Sequence, residues 1–263
     1  MGRRPGSALL GLAVLAIYGF ILIPLAVVIA VSFNPGSGFD FPPPGLSLRW
    51  YAALLEKAPF RHAFFEVSLP VGLAAACAAT LLGTAAAVGI ERFRFPGRGA
   101  LEAFFLMPII VPHILLGAAL YLYVTRLGWN ASLATLATGH VLIATPFVIR
   151  NVTAGLAGLE PSIEEAAVNL GAGRVRAFFL VVVPQIKSAL ISGAVFAFIV
   201  SFSDINIALF LSGPDTTTLP VYLFSQIQWE SDPSVAAASA VQIVIIALII
   251  LALQKVFRVR IGM

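Results

Sequence analysis

The sequence predicts an all-α integral membrane protein with about six transmembrane helices. Two features carry this prediction: an apolar composition, and apolar blocks of spanning length separated by short basic clusters. Of the 263 residues, 60% are hydrophobic and 11% are charged, whereas soluble domains have about 45–50% apolar and about 25% charged residues. The apolar blocks recur from residue 9 to residue 257, and no polar stretch between them is long enough to fold separately. We therefore expect residues 1–263 to form a single membrane domain.

Six segments are long enough to cross a bilayer. A transmembrane helix needs roughly 20 mostly apolar residues, because backbone groups without hydrogen bonds are costly in lipid. The fourth segment also contains threonines, His140 and Pro146, which indicates a helix packed among other helices rather than one surrounded by lipid. The predicted spans are 8–32, 67–90, 103–125, 131–150, 188–212 and 235–257.

The lysines and arginines predict the orientation, because these residues favour cytoplasmic segments. If the N-terminus is inside, twelve of the 16 basic residues fall in cytoplasmic segments, and Arg49, Lys57, Arg61 and Arg126 fall outside. An odd number of spans would place one basic cluster on the wrong side. We therefore expect both termini to be cytoplasmic.

The segment between the first two spans, 34–66, is rich in proline and glycine and then becomes amphipathic at Leu48-Arg-Trp-Tyr-Ala-Ala-Leu-Leu. Trp50 and Tyr51 suit the level of the lipid headgroups. This pattern predicts a helix that lies on the membrane surface. A loop packed as a cap on the helices is the alternative.

The longest predicted cytoplasmic loop, 151–187, contains a short helix of its own. Pro161 suits the first turn of a helix, and Gly171 suits the left-handed residue that follows one. Ser162 and Glu165 have the spacing of a capping box. A helix of about eight residues is marginal in isolation, so this one needs a partner surface.

The same loop resembles the EAA loop of the permease subunits of binding-protein-dependent ABC importers. That pattern is Glu-Ala-Ala, three residues, Gly, nine residues, and then Ile-x-Leu-Pro. The chain has Glu165-Ala-Ala, Gly171 and Val181-Val-Val-Pro184 at these positions. Valines replace the usual isoleucine and leucine, which keeps the apolar bulk.

The resemblance implies that this short helix docks in a groove of an ATP-binding subunit and transmits its closure to the membrane helices. From the residues alone, Glu165 has the alternative of only completing a capping box, and Gly171 that of only ending the helix. That alternative leaves Pro184 unexplained. The predicted coupling residues are Glu164, Glu165, Ala166, Ala167, Gly171 and Pro184.

Most of residues 50–257 are similar to the spermidine/putrescine branch of this family. The similarity lies in Leu106-Met-Pro-Ile-Ile-Val-Pro-His-Ile-Leu-Leu-Gly, Ser201-Phe-Ser-Asp204, the stretch 211–220 that ends in Thr-Thr-Leu-Pro, and Asp232-Pro-Ser-Val-Ala-Ala. It implies a translocation path for a small organic solute, either a polyamine or a related amine or amino-acid derivative.

Asp204, Asn206 and His113 are the candidates for the substrate path. An ionisable residue within an apolar span is costly, which makes Asp204 a functional candidate. Its alternative is a carboxylate satisfied by a neighbouring helix or by the outer headgroups. Asn206 lies two residues further on and points to a different helical face. His113 lies in a span that Pro108 and Pro112 are expected to kink, and a packing role is its alternative.

Two positions depart from the polyamine branch, in which the residues that match His113 and Ser203 are commonly acidic. Neither residue is acidic here. We therefore expect a solute with less positive charge than a polyamine, such as an amino-acid derivative or an aminophosphonate.

A secondary transporter driven by an ion gradient is the alternative function. Such proteins usually contain an internal repeat and intramembrane charge pairs, whereas this sequence offers only Asp204 and no obvious repeat. An intramembrane enzyme is disfavoured because no H-E-x-x-H motif occurs. Gly171-Ala-Gly173-Arg lacks the G-K-[ST] of a phosphate-binding loop, so we expect no enzyme activity in this chain and ATP hydrolysis on another polypeptide.

The expected partners follow from the family resemblance. They are two ATP-binding subunits that carry the ATP and magnesium, a second, different permease subunit, an extracytoplasmic solute-binding protein, and membrane lipid. We expect no cofactor or metal on this chain. The basic residues form short clusters between apolar blocks rather than one basic face, so we expect no nucleic-acid partner. The expected location is a bacterial-type plasma (inner) membrane.

Overall fold

The computed structural model describes residues 5–229 and 233–257, and within these ranges every regular element is a helix. The all-α fold class is confirmed. The helix α13 has no counterpart among the predicted segments. The α-helices are α1 (Pro5–Val31), α2 (Arg49–Glu56), α3 (Ala58–Arg61), α4 (Leu69–Arg92), α5 (Arg98–Ile110), α6 (His113–Arg126), α7 (Leu133–Ala157), α8 (Pro161–Asn169), α9 (Arg174–Ala177), α10 (Val183–Gln185), α11 (Lys187–Ser203), α12 (Asn206–Leu211), α13 (Leu219–Trp229) and α14 (Ser234–Phe257). Two π-helical segments, His62–Ser68 and Phe178–Val182, precede α4 and α10.

The chain divides into two compact units. The first comprises residues 1–61 and 223–248, and the second comprises residues 62–222 and 249–263. The second unit contains all the residues predicted to act in coupling or in the substrate path.

The described residues contain four helices that are long and apolar enough to cross a membrane. They lie at Leu10–Val31, Ala58–Arg92, Leu133–Ala157 and Ser234–Ala252, and they match the first, second, fourth and sixth predicted spans. Two sharply bent helix pairs bring the number to six if each pair counts as one span. The described residues thus contain four to six candidate spans, in agreement with the prediction of about six.

The third predicted span, 103–125, is broken rather than merely kinked. α5 ends at Ile110, α6 begins at His113, and the two helices meet at 105°. Pro112 has no N–H to continue the helical ladder, and it favours extended backbone in the residue before it. Val111 is extended accordingly, with ψ 131°.

The fifth predicted span, 188–212, is also interrupted. α11 ends at Ser203, Asp204 is extended with ψ 130°, and α12 then begins at Asn206. The prediction that Asp204 lies within a continuous helix is therefore wrong. At its other end, α11 meets the preceding segment Arg174–Gln185 at 76°. Pro184 and a π-helical turn precede this bend, and both disrupt the regular hydrogen-bond ladder.

α7 lies at the centre of the second unit and packs against α4 and α11. Glycines allow the close approach: a Cβ on Gly83 would lie 2.8 Å from the Cβ of Val148, and a Cβ on Gly193 would lie 3.2 Å from its Cα. Small residues at contacts are what permits tight packing of membrane helices. The expectation that the fourth span packs among other helices is confirmed.

In the first unit, the loop rich in proline and glycine packs on the end of α1. The Tyr51 hydroxyl lies 2.6 Å from Ser32 Oγ, and Trp50 Nε1 donates a hydrogen bond to the Gly36 carbonyl oxygen at 3.1 Å. α2 confirms the helix predicted at 48–55. The polar atoms of both aromatic residues are bonded within the unit, which favours the packed cap over a helix that lies in the headgroups.

Candidate functional site

The short helix predicted in the loop 151–187 is present as α8, and its start differs from the predicted capping box. Glu160 is the N-cap residue, Pro161 is the first helical residue, and the N-cap side chain makes no capping hydrogen bond. Ser162 already lies inside the helix and cannot cap it. The capping-box explanation for Glu165 is therefore wrong.

The end of α8 depends on Gly171. Its φ is +92°, in the left-handed region that favours glycine. The Gly171 N–H donates to the Val168 carbonyl at 2.9 Å, and the Ala172 N–H donates to the Ala167 carbonyl at 3.1 Å. This pair of bonds is a Schellman motif, so the predicted left-handed exit at Gly171 is confirmed.

α8 exposes one apolar face. Ile163, Ala166 and Leu170 are spaced three and four residues apart, which places them on the same side of the helix. All three are exposed, and Leu170 reaches 90%. Glu165 is exposed as well. The outward face of α8 is therefore aliphatic, and Glu165, two residues after Ile163, lies on a different side of the helix.

The opposite side of α8 faces its own chain. Glu164 forms an ion pair with Arg92 at the end of α4, and the two side chains are 22% and 28% exposed. α8 also packs against α9 and the π-helical turn Phe178–Val182. Between α8 and the end of α4 lies a cleft of about 710 Å³, whose lining includes Arg92, Phe93, Glu164, Glu165, Val168 and Phe178.

Pro184, the last of the predicted coupling residues, is exposed and lies in the three-residue helix α10. It follows the π-helical turn and precedes the 76° bend into α11. Its position is therefore at a hinge between the α8 segment and a membrane helix, separate from α8 itself.

The two broken spans meet at Asp204 and His113. His113 is the first residue of α6, Asp204 follows α11, and His113 Nδ1 lies 3.3 Å from Asp204 Oδ1. The imidazole nitrogen and the carboxylate oxygen are therefore within hydrogen-bonding distance. The Asp204 side chain is 4% exposed and that of His113 is 28% exposed. A partly accessible imidazole thus covers a buried carboxylate.

Asp204 also holds the start of α12. Its Oδ2 accepts the Ile207 N–H at 2.7 Å, one of the amides that the start of a helix leaves without an intrahelical partner. This contact supports the structural alternative that the sequence left open, because the carboxylate is satisfied within its own chain. The geometry is compatible with a role in the path and with a role in positioning α12.

A second histidine lies beside this break. His140 on α7 is 1% exposed, and its Nδ1 lies 2.8 Å from Ser201 Oγ and 3.1 Å from the Ser201 carbonyl oxygen. The carbonyl only accepts, so Nδ1 donates. His140 therefore fixes α7 to the last turn of α11, next to Asp204.

Asn206 starts α12 and is half-buried, with its backbone against Gly117 of α6. A Cβ on Gly117 would lie 2.8 Å from the Asn206 carbonyl oxygen. α12 also packs against α7. The structure therefore brings His113 and Asp204 together, and Asn206 contributes a backbone contact to the same helix junction.

Sequence reasoning missed two residues of these sites. Arg92 served only as an orientation signal, because its partner Glu164 is 72 positions away and no local pattern joins them. Ser201 was noted only within a family-like stretch. Its bond to His140 depends on how α7 packs against α11, which a one-dimensional pattern does not encode.

Comparison with known proteins gives the family directly. The model of the family described as "Binding-protein-dependent transport system inner membrane component" matches residues 79–262. The putrescine transport system permease protein PotI of Escherichia coli K12 is 36% identical over 84% of this chain and 80% of its own length. The spermidine/putrescine transport system permease protein PotC of the same strain is 28% identical over 96% of this chain and 95% of its length.

A solved structure shares the fold. A chain of a bacterial ABC transporter that imports the acidic polysaccharide alginate matches with a TM-score of 0.75 at 16% identity, covering 98% of this chain and 99% of that chain. At this identity the likeness concerns the fold alone. The resemblance seen in the EAA-like loop and the inner-membrane location are both confirmed by the family match. The chain therefore belongs to the family of inner-membrane permease subunits of binding-protein-dependent ABC importers.

Proposed function

We propose that this chain forms the membrane path for a small organic amine and is driven by ATP hydrolysed on separate subunits. The observation that carries the proposal is the outward face of α8, where the aliphatic side chains of Ile163, Ala166 and Leu170 are exposed. An exposed apolar helix face is typical of a protein interface. We propose that the protein that binds this face of α8 is an ATP-binding subunit.

The coupling residues have distinct parts in this proposal. Glu165, Ala166 and Ala167 belong to the docking helix, and the two alanines are small enough for close approach of a partner. Gly171 sets the exit direction of the chain, and Pro184 lies at the hinge that leads into α11. We propose that closure of the ATP-binding subunits displaces α8 and that the displacement reaches the membrane helices.

The complete importer requires other chains. We propose two ATP-binding subunits, which bind the ATP and magnesium, and a second, different permease subunit. A solute-binding protein delivers the ligand on the opposite side of the membrane, as the family description implies. In this proposal α8 lies on the cytoplasmic side of the membrane, in agreement with the distribution of arginines and lysines.

The substrate we propose is a small amine with fewer positive charges than spermidine. Two of the relatives are named for putrescine transport, which favours an amine. Asp204 is the acidic residue at the broken helices, and His113 lies against it. One acidic residue covered by an imidazole offers less negative charge than a polycation requires, so we propose an amine with one compensating acidic group or a short diamine.

The charge of Asp204 is testable separately from its structural contact. Asp204→Asn keeps an oxygen that accepts the Ile207 N–H and removes the negative charge. If the charge serves the path, uptake of labelled putrescine or 2-aminoethylphosphonate falls about tenfold or more, since bonds to charged groups contribute about 1.5–3 kcal/mol. Uptake is measured in cells that express the complete transporter, with equal amounts of permease in the membrane.

Asp215→Asn is the matched control for this test, because Asp215 is exposed and its hydrogen bond to His62 uses its backbone carbonyl. Normal uptake is expected for this variant. Normal uptake by Asp204→Asn would instead assign Asp204 to the positioning of α12 alone. If neither probe is transported by the unmodified complex, the proposed substrate class is wrong.

A further inference from the structure

We infer that the Arg92–Glu164 ion pair is the link through which α8 moves α4, so that the adjacent glutamates have separate roles. Glu164 connects the helix to its own membrane domain, and Glu165, at the exposed side of the same cleft, is left for contact with the partner. This inference rests on the proposed function, because it assumes that an ATP-binding subunit moves α8.

The first argument is the geometry of α8. Glu164 and Glu165 are consecutive, so they point about 100° apart around the helix. The Glu164 side chain is 22% exposed and pairs with Arg92, whereas Glu165 is exposed. One carboxylate is therefore committed to α4, and the other remains available to a second protein.

The second argument is the space between the two helices. A cleft of about 710 Å³ lies between α8 and the end of α4, and Arg92 and Glu164 are both in its lining. Close packing transmits displacement because the atoms are already in contact. Where a cleft separates two helices, a displacement of α8 reaches α4 only through side chains that cross the cleft. The Arg92–Glu164 ion pair crosses it.

The third argument is what α4 does beyond Arg92. The helix has 24 residues, which makes it about 36 Å long. It packs against α7 and α11, and α11 ends at Ser203, next to Asp204. At its far end, Ser68 Oγ accepts the Leu219 N–H at 2.7 Å. A movement of Arg92 is therefore passed to the helix junction at Asp204 and to Leu219, the first residue of α13.

Arg92 and Glu164 are positioning residues in this account, because neither touches the solute. An ion pair that solvent still reaches adds only modestly to the stability of a fold, and its two side chains are 28% and 22% exposed, so its loss should leave the complex assembled. The expected defect is in coupling: ATP hydrolysis continues, and its stimulation by the solute-loaded binding protein is lost.

The test uses charge exchange in the complete transporter. We compare Arg92→Glu, Glu164→Arg and the double variant that carries both changes. Each is assayed for retained ATP-binding subunit, for ATP hydrolysis with and without the binding protein, and for putrescine uptake. Glu164→Gln tests loss of the charge without reversal.

The expected result is a loss of stimulation and of uptake by about tenfold in each single variant, with recovery to within about threefold in the double variant, as pairwise coupling requires. Retention of the ATP-binding subunit should stay normal in all of them and in Glu164→Gln. A merely structural role would lower the amount of complex and would not be restored by exchange.

Two controls match the change in charge. Arg94→Glu reverses an exposed arginine two residues beyond Arg92. The exchange of Glu91 and Arg98, which pair at 3.1 Å, alters a neighbouring ion pair that does not involve α8. In both control variants, the solute-loaded binding protein should still stimulate ATP hydrolysis fully.

The inference is overturned if either single variant behaves as the unmodified protein, if the double variant is as defective as the singles, or if Glu164→Gln releases the ATP-binding subunit. These outcomes are distinct from failure of the proposed function. If the unmodified chain retains no ATP-binding subunit, the proposed function itself fails before the variants are compared.

Discussion

Replacement of Gly171 by valine is expected to lower transport by about tenfold or more. Gly171 has φ +92°, and a β-branched residue in that region costs about 1–3 kcal/mol. To relieve this strain, the chain would leave α8 in a different direction and lose the two Schellman hydrogen bonds to the Ala167 and Val168 carbonyls. A Cβ added at Gly171 would have no neighbouring atom within 4 Å. The effect therefore comes from backbone conformation and not from a steric clash.

Gly173 offers a closely matched control. It lies two residues further on, a built Cβ also meets nothing within 4 Å, and its φ of −62° and ψ of 151° suit any residue. Gly173→Val should therefore transport normally. Uptake of putrescine and retention of the ATP-binding subunit are the measurements. Equal defects in both variants would mean that bulk near α8, rather than the left-handed exit, is what matters.

Replacement of Gly117 by alanine is expected to abolish most transport through a change at the helix junction. A Cβ there would lie 2.8 Å from both the Asn206 carbonyl oxygen and the Phe210 ring. The first of these is a backbone atom, so relief requires α12 to move away from α6. Overpacking of this kind costs about 1–3 kcal/mol, and the movement would displace Ile207, whose N–H is bound by Asp204.

Gly89→Ala is the control for this substitution, since Gly89 lies inside α4 and a Cβ there meets nothing within 4 Å. Alanine is the better helix former, so this variant should be as stable as the unmodified chain or slightly more stable. Thermal unfolding in detergent and putrescine uptake measure the two effects. Normal uptake by Gly117→Ala would mean that the junction at Asp204 tolerates displacement and is not part of the path.

The sequence predicted the number of spans because hydrophobic length alone determines which segments cross a bilayer. The two helix breaks were harder to predict from the sequence. Pro108 and Pro112 signalled a kink, yet the 105° angle depends on how α5 and α6 each pack against α7. The break at Asp204 has no proline or glycine to announce it, and the carboxylate stabilises it by bonding the Ile207 N–H.

The coupling loop could be predicted because its signals are local. Pro161 and Gly171 delimit α8 in the structure as the sequence indicates. The capping box at Ser162 was wrong because the proline had already started the helix. Which of the two glutamates faces the chain could not be derived, since the answer depends on Arg92, a residue at the end of a distant helix.

The most direct test of the central claim is whether an ATP-binding subunit binds the outward face of α8. The measurement is the amount of that subunit that co-purifies with the full chain, compared between the unmodified protein and Leu170→Asp. Leu170 is 90% exposed, and loss of a buried apolar anchor at an interface costs about 2 kcal/mol or more. Leu127→Asp, at a 51% exposed leucine just after α6, is the control. The account predicts stoichiometric retention by the unmodified protein and by Leu127→Asp, and loss of the subunit in Leu170→Asp. Full retention by Leu170→Asp, or no ATP-binding subunit with the unmodified chain, would contradict it.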